Sequence, residues 1–150
     1  MLSEKEILSL LPYSEPFLFV DQLIWVNDEG AEGRYCFRRD EYFYRGHFKN
    51  RPVTPGVILT ECMAQIGLVA LGIYLVGENI PNGAVELAFT SAEVDFLQPV
   101  LPGEEVRVEA QKKRWRLGKL TVDTVMYNQE GKLVCKGTLS GMIKARKNEQ

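Results

Sequence analysis

Four residues that could do chemistry lie close together in a loop and the helix that follows it. His47, the only histidine in the chain, precedes a helix start at Pro55-Gly56, and Glu61 and Gln65 follow within a long apolar run. An imidazole titrates near neutral pH and can accept a proton there. The first N–H groups of a helix have no partner inside it, so the Gly56 amide can polarise a carbonyl oxygen. Apolar neighbours raise the pKa of a carboxyl group, so we expect Glu61 to hold a proton that it can donate.

These groups together favour one reaction type. Gln65 lies one helical turn after Glu61, on the same face, where it can position the carboxyl group or a water molecule. A base, an anion-binding amide and a protonated acid suit proton abstraction next to a carbonyl, with protonation of a leaving group. That is the elimination of water from a 3-hydroxyacyl compound, or the reverse addition.

Each residue also has a purely structural interpretation. A single loop histidine can serve the fold alone, and Glu61 can pair with Arg45 or Arg51. The helix start is an ordinary one, with Thr54 predicted as the N-cap and Pro55 in the first turn. Only the joint spacing of the groups favours chemistry. We expect neither a cofactor nor a metal, because one histidine and widely spaced cysteines do not provide the ligands of a zinc site.

The element that must position these groups is a helix predicted over residues 57–76. Its length and apolar composition would also suit a membrane span. However, Glu61 and Gln65 lie inside it, and an acid at membrane depth costs much free energy. A helix that is hydrophobic all round is typical of a protein core. We therefore predict no membrane association, and burial of this helix by a sheet and by a second copy of the chain, as a homodimer.

The other predicted elements are short and mostly extended. Ser3 and Glu6 form a capping box at the start of a helix that ends at Pro12. Alternating apolar residues and turn signals then predict strands over 23–26, 32–38, 85–89, 93–96, 105–115, 120–126 and 133–143. The last three form an antiparallel meander. This predicts one α+β domain over residues 1–150, an antiparallel sheet wrapped around one long helix.

Composition excludes several classes of protein. The chain has 150 residues, of which 45% are hydrophobic and 25% charged, and its net charge is −2. This balance does not suit a nucleic-acid partner. The three cysteines are odd in number and widely spaced, which indicates reduced thiols and a cytoplasmic location. The N-terminus carries Glu4, Lys5 and Glu6 where an export signal would be apolar.

Several motifs resemble the FabZ-type 3-hydroxyacyl-[acyl-carrier-protein] dehydratases, a hot-dog family. The matching stretches are Leu11-Pro-Tyr-Ser-Glu-Pro-Phe-Leu-Phe-Val-Asp21, Gly46-His-Phe, Arg51-Pro, Pro55-Gly-Val, Glu61-Cys-Met-Ala-Gln65 and Phe96-Leu-Gln-Pro-Val-Leu-Pro-Gly103. The resemblance implies a hot-dog fold and a dimer, in some members a trimer of dimers. It also implies active sites that each combine His47 of one chain with Glu61 of the other.

The resemblance also implies a role for each site residue. His47 would be the base at C2, and Glu61 would handle the departing hydroxyl group. The Gly56 amide would bind the thioester carbonyl, and Gln65 would assist at the water site. The remaining substrate contacts, along the acyl chain, would be Phe48, Pro55 and Val57. Glutamate at position 61, where the dehydratase-isomerases carry aspartate, resembles the branch that only dehydrates.

Three stretches depart from the family pattern. Tyr13-Ser14 stands where His-Arg is usual, Lys49-Asn50 where Pro-Gly is usual, and Gln98 where a basic residue is common. None of these changes removes a catalytic group. They leave open a specialised pathway, such as polyene or pigment synthesis, as well as fatty acid synthesis.

Basic residues beside the site loop suggest where a partner would dock. An acyl carrier protein is acidic, and Arg45, Lys49 and Arg51 lie next to His47 in sequence. A second basic group, around Lys112 and Arg114, is interpreted as solvated surface.

Two other functions remain open. One is a hot-dog thioesterase in which Glu61 activates water, and the other is an acyl-binding subunit without activity.

Overall fold

A long helix forms the centre of the molecule in this computed structural model, which describes residues 1–77 and 85–145. The helix, α2, spans Gly56–Val76 and would be long and apolar enough to cross a membrane. However, 78% of its most apolar 18-residue window is buried inside the protein. This burial fits the core helix that the sequence predicts. A second, short α-helix, α1, spans Glu4–Leu10 and has the predicted capping box between Ser3 and Glu6.

One six-stranded antiparallel sheet wraps around α2. The strands are β1 (Gln22–Asn27), β2 (Gly30–Cys36), β3 (Val85–Phe96), β4 (Glu105–Arg116), β5 (Lys119–Asn128) and β6 (Leu133–Ala145). Their order across the sheet is β1-β2-β4-β5-β6-β3, so β4, β5 and β6 form the predicted meander. The α+β prediction and the hot-dog arrangement that the resemblance implies are confirmed. The strands predicted over 85–89 and 93–96 are one strand, because a bulge between Phe89 and Ser91 lets the pairing with β6 continue.

The helix touches the sheet most closely where it has glycine. A Cβ atom on Gly67 would lie 2.6 Å from the Cβ of Ala110 in β4. Both residues must therefore be small for the two backbones to approach this closely. The buried faces of β4 and β5 complete the contact, with Val106, Val108 and Val122 in the core.

Two details of α2 differ from the sequence-based prediction. The residue that precedes its first turn is Pro55, without a side-chain cap, and not Thr54. The Thr54 hydroxyl instead forms a buried 2.6 Å hydrogen bond with the hydroxyl of Tyr44, which takes it away from the helix N–H groups. In the middle of the helix, Ala64–Ala70 has π-helical geometry. The residue pattern does not reveal this geometry, because all seven residues are buried and the segment has no polar face to show its period.

Candidate active site

A tight turn holds His47 in one orientation. The turn is closed by backbone hydrogen bonds between Phe48 and Arg51, of 2.9 and 3.1 Å, and by the Val53 N–H donating to the His47 carbonyl at 3.0 Å. The His47 Nδ1 lies 2.9 Å from the carbonyl oxygen of Val53. Because a carbonyl oxygen only accepts, Nδ1 carries the proton, and Nε2 of the neutral ring has a free lone pair. This arrangement leaves Nε2 able to accept a proton, as the predicted role of His47 requires.

Asn50 explains how this turn forms with an unusual sequence. Its φ is +59°, in the left-handed region that favours glycine and tolerates asparagine. Glycine is usual at this position in the family that the motifs resemble. The Lys49-Asn50 departure therefore keeps the turn, and with it the placement of His47.

The start of α2 offers two free N–H groups beside an aromatic ring. The first carbonyl of the helix, that of Pro55, accepts hydrogen bonds from Ile58 and Leu59. Within the described ranges, 1–77 and 85–145, the N–H groups of Gly56 and Val57 donate to no acceptor. The ring of Phe96 lies against Gly56, and an added Cβ would be 3.1 Å from its Cζ atom. Both N–H groups thus remain available for an oxyanion, as predicted.

Gln65 fixes the carboxyl group of Glu61. The Gln65 Nε2 donates to Glu61 Oε2 at 3.0 Å and to the carbonyl oxygen of Phe17 at 3.0 Å. Its Oε1 accepts the N–H of Phe19 at 2.7 Å. Both amide hydrogens are in use, so of the two predicted tasks the structure shows the positioning of Glu61. The backbone of Phe17 and Phe19, which holds this amide, was not identified as part of the site from the sequence.

Burial favours the protonated form of Glu61. Desolvation in its half-buried position raises its pKa above the ordinary value of 4.5, and the hydrogen bond from Gln65 partly opposes this shift. The structural alternative, an ion pair with Arg45 or Arg51, does not occur among the residues that the structure describes. The expected direction of the shift is confirmed.

Glu61 opens into an apolar pocket of about 170 Å³ between α2 and the sheet. Tyr13 and Phe17 form one wall, and residues of α2, β3 and β6 form the others, with Leu68, Phe89 and Met142 among them. A short acyl group would bury its carbons here with its reacting end at the carboxyl group. Nothing in the sequence pattern alone indicated that Tyr13 faces Glu61.

The chain by itself does not bring every predicted residue to this pocket. His47, Phe48, Pro55 and Val57 are absent from its lining, and Phe48 and Val57 have exposed side chains, at 57% and 77%. Pro55 is buried at the start of α2. One chain therefore separates the predicted site residues into two groups: His47 with the two free amides, and Glu61 with Gln65 at the pocket.

The basic residues predicted for docking surround the loop that holds His47. Arg45, Lys49 and Arg51 are exposed. In the described part of the chain none of them forms an ion pair. Their charge is thus unneutralised beside His47.

Comparisons with known proteins define the class. The FabA-like domain family matches residues 11–139 of the chain. A FabZ 3-hydroxyacyl-[acyl-carrier-protein] dehydratase of Roseiflexus sp. (strain RS-1) is 33% identical over 142 residues, 93% of this chain and 94% of that protein. The FabZ enzyme of Rhodospirillum rubrum is 39% identical over 115 residues, 73% of this chain and 68% of that protein. The chain belongs to the FabA-like family, among dehydratases of the FabZ type, as its motifs predict.

Solved structures show how widely the fold is used. The dehydratase heterocomplex ApeI:P from Xenorhabdus doucetiae superimposes with a TM-score of 0.75 at 14% identity, over 99% of this chain and 94% of that one. The thioesterase HI1161 from Haemophilus influenzae gives a TM-score of 0.69 at 14% identity, over 100% and 96%. At such identities the likeness extends to the fold alone, which both kinds of enzyme share.

Proposed function

We propose that this protein is a hydro-lyase that removes water from (3R)-3-hydroxyacyl thioesters on acyl carrier protein, giving trans-2-enoyl thioesters. The observation that carries the proposal is the carboxyl group of Glu61, which Gln65 holds at the wall of an apolar pocket and whose pKa is raised by burial. A carboxyl group in an apolar pocket is suited to donating a proton to a leaving group. The FabZ-type relatives support this reaction.

The geometry suggests a sequence of events. The carbonyl oxygen of the thioester accepts hydrogen bonds from the free N–H groups at Gly56. These bonds stabilise the negative charge that develops on that oxygen. Nε2 of His47 removes a proton from C2, and the bond between C3 and the hydroxyl oxygen breaks. Glu61 donates its proton to that oxygen, which leaves as water while the C2–C3 double bond forms. The proton on His47 then passes to the Glu61 carboxylate through solvent, and both residues return to their starting states.

Turnover of a short thioester tests the reaction. Wild-type protein should interconvert crotonyl and 3-hydroxybutyryl thioesters, whereas His47→Ala and Glu61→Gln should each lose about 10²–10⁴-fold in kcat/KM. Assays should use both carrier protein and coenzyme A. No turnover on either carrier would refute the proposal. Release of free thiol, with no change at C2–C3, would instead support a thioesterase, and binding without turnover an acyl-binding subunit.

We propose that a homodimer joins the two groups of site residues. Among the strands that the structure describes, β3 lies at an edge of the sheet and pairs with β6 alone, and it exposes Phe89 and Phe96 at 45% and 50%. A long unpaired edge with apolar side chains favours pairing with a second copy. Such pairing would also cover the exposed Val57 and bring the loop of one chain towards the acid of the other.

Mixed subunits test this arrangement. His47→Ala and Glu61→Gln chains, unfolded together and refolded, form heterodimers in which one site keeps both residues if the site spans two chains. Activity should then recover to about a quarter of the wild-type value, the fraction expected from random pairing. A site contained within one chain would show no recovery.

We further propose that Arg45, Lys49 and Arg51 bind the acidic carrier protein. Their exposure and their lack of carboxylate partners support this role. Replacing the three by glutamate should raise KM for carrier-bound substrate about tenfold or more at low salt, and much less for the coenzyme A thioester. Lys113→Glu, in the other basic group, is the control. Equal effects on both substrates would contradict docking.

We propose that the enzyme acts in fatty acid synthesis, in the cytoplasm. The FabZ-type relatives support fatty acid synthesis, and the Tyr13-Ser14, Lys49-Asn50 and Gln98 departures support a related specialised pathway as the alternative. A cytoplasmic location is supported by three free cysteines, two of them buried. Comparing turnover across acyl chains of different length and saturation would separate the two pathways.

A further inference from the structure

Tyr13, which departs from the family pattern within an otherwise matching stretch, lines the pocket that holds Glu61. Its side chain forms part of the pocket wall together with Phe17, and their ring centroids are 6.5 Å apart. The ring is partly buried against the core. In the parts of the chain that the structure describes, the Tyr13 hydroxyl forms no hydrogen bond. A partly buried donor without a protein partner, at the wall of a pocket, is available to a ligand.

Of the residues in 1–77 and 85–145 that line the pocket, Tyr13 is the one polar side chain besides Glu61. The remaining lining residues are Phe17, Ala64, Leu68, Val69, Leu87, Ala88, Phe89, Gly141, Met142 and Ile143. Gln65 has no N–H left for a ligand, since both are engaged by Glu61 and Phe17. A polar substrate atom bound at Glu61 therefore has Tyr13 as its second side-chain partner.

The hydroxyl of Tyr13 stays protonated at any pH at which the enzyme would work. Burial, and to a smaller degree the nearby charge of Glu61, raise its pKa. It therefore acts as a hydrogen-bond donor and not as a base.

We propose that Tyr13 donates a hydrogen bond to the 3-hydroxyl oxygen of the substrate, beside the proton that Glu61 delivers to the same atom. This inference rests on the proposed dehydratase function and adds a residue that selects for it. The oxygen gains electron density as its bond to C3 breaks, so a second donor strengthens its contact in the transition state. A saturated acyl group has no atom at this place, and Tyr13 thus favours 3-hydroxyacyl groups.

The test compares Tyr13→Phe with wild type on two ligands. Phenylalanine keeps the ring and removes only the donor. We expect kcat/KM for 3-hydroxybutyryl thioester to fall about tenfold, the loss of one hydrogen bond. The inhibition constant of butyryl thioester, which has no 3-hydroxyl group, should stay within about twofold, because no contact to it is lost. Tyr127→Phe, on β5 and outside the pocket, is the matched control and should change neither value.

Two results would overturn the inference while leaving the proposed function intact. One is an unchanged kcat/KM in Tyr13→Phe. The other is an equal loss of affinity for butyryl thioester, which would show that Tyr13 only shapes the pocket. If wild-type protein does not interconvert the two thioesters at all, the proposed function falls first and this inference with it.

Discussion

At the scale of single residues, Gln65 links the local sequence to the chemistry of Glu61. Its amide is fully buried and bonds to the backbone of the segment before β1 on one side and to the carboxyl group on the other. The orientation of Glu61 thus depends on a segment more than forty positions earlier in the chain. Burial at this place raises the pKa of Glu61, so the folded protein is less stable where the carboxyl group must ionise.

This cost can be measured in Glu61→Gln. Between the ordinary value of 4.5 and the higher pKa in the folded protein, the folded state holds more protons than the unfolded state. Wild-type stability therefore falls as pH rises through this window. Glutamine does not titrate and can still accept the Gln65 hydrogen bond. The stability of the variant relative to wild type should therefore increase as pH rises from 4.5 towards 7 and should be independent of pH well below 4.5.

Urea unfolding at several pH values measures this difference directly. Glu29→Gln, at an exposed position in the turn between β1 and β2, is a control for removing one negative charge. A difference that stays constant from pH 4 to pH 8 would contradict the raised pKa.

At the scale of elements, the close contact between α2 and β4 determines how replacing Gly67 by alanine changes stability. On a solvent-exposed helix, Gly→Ala stabilises by about 1 kcal/mol. At Gly67 the new methyl group would lie 2.6 Å from the Cβ of Ala110, which can retreat only if the strand moves. We expect Gly67→Ala to lower the free energy of unfolding by about 1–3 kcal/mol instead.

A double variant checks that the clash is the cause. Gly67→Ala with Ala110→Gly returns the lost space to the same contact, so it should be more stable than Gly67→Ala alone. Chemical denaturation of the three variants gives the coupling between the two positions. Additive losses would mean that the two methyl groups do not meet.

At the scale of the whole molecule, the two edges of the sheet differ. β3 has 12 residues and β1 has six, and within the described part of the chain each is paired on one side only. Phe89→Asp on β3 should shift a dimer towards monomer, because a carboxylate would be buried between the paired edges. Ile24→Asp on β1 introduces the same charge at a side chain of similar exposure, 38% against 45%. Sedimentation should show dissociation for the first variant alone. Equal behaviour of the two would argue against a β3 interface.

The sequence by itself determined the elements and the chemistry. Apolar alternation predicts the strands, and the capping box at Ser3 predicts the start of α1, because both signals depend on neighbours a few residues apart. The spacing of His47, Gly56, Glu61 and Gln65 indicates the reaction type for the same reason. Thr54 shows the limit of such signals, since its partner is Tyr44 in the preceding 3-10 helix and not the helix that follows.

Only the tertiary structure decided which groups meet. The bonds from Gln65 to the backbone of Phe17 and Phe19, the ring of Phe96 over Gly56 and the place of Tyr13 beside Glu61 all join distant parts of the chain. Contacts of this kind depend on how the strands and the helix pack, and a residue pattern along one element does not contain that information. The sequence therefore predicts Glu61 as the acid and His47 as the base, and the packing of the sheet around α2 forms the pocket that Glu61 lines.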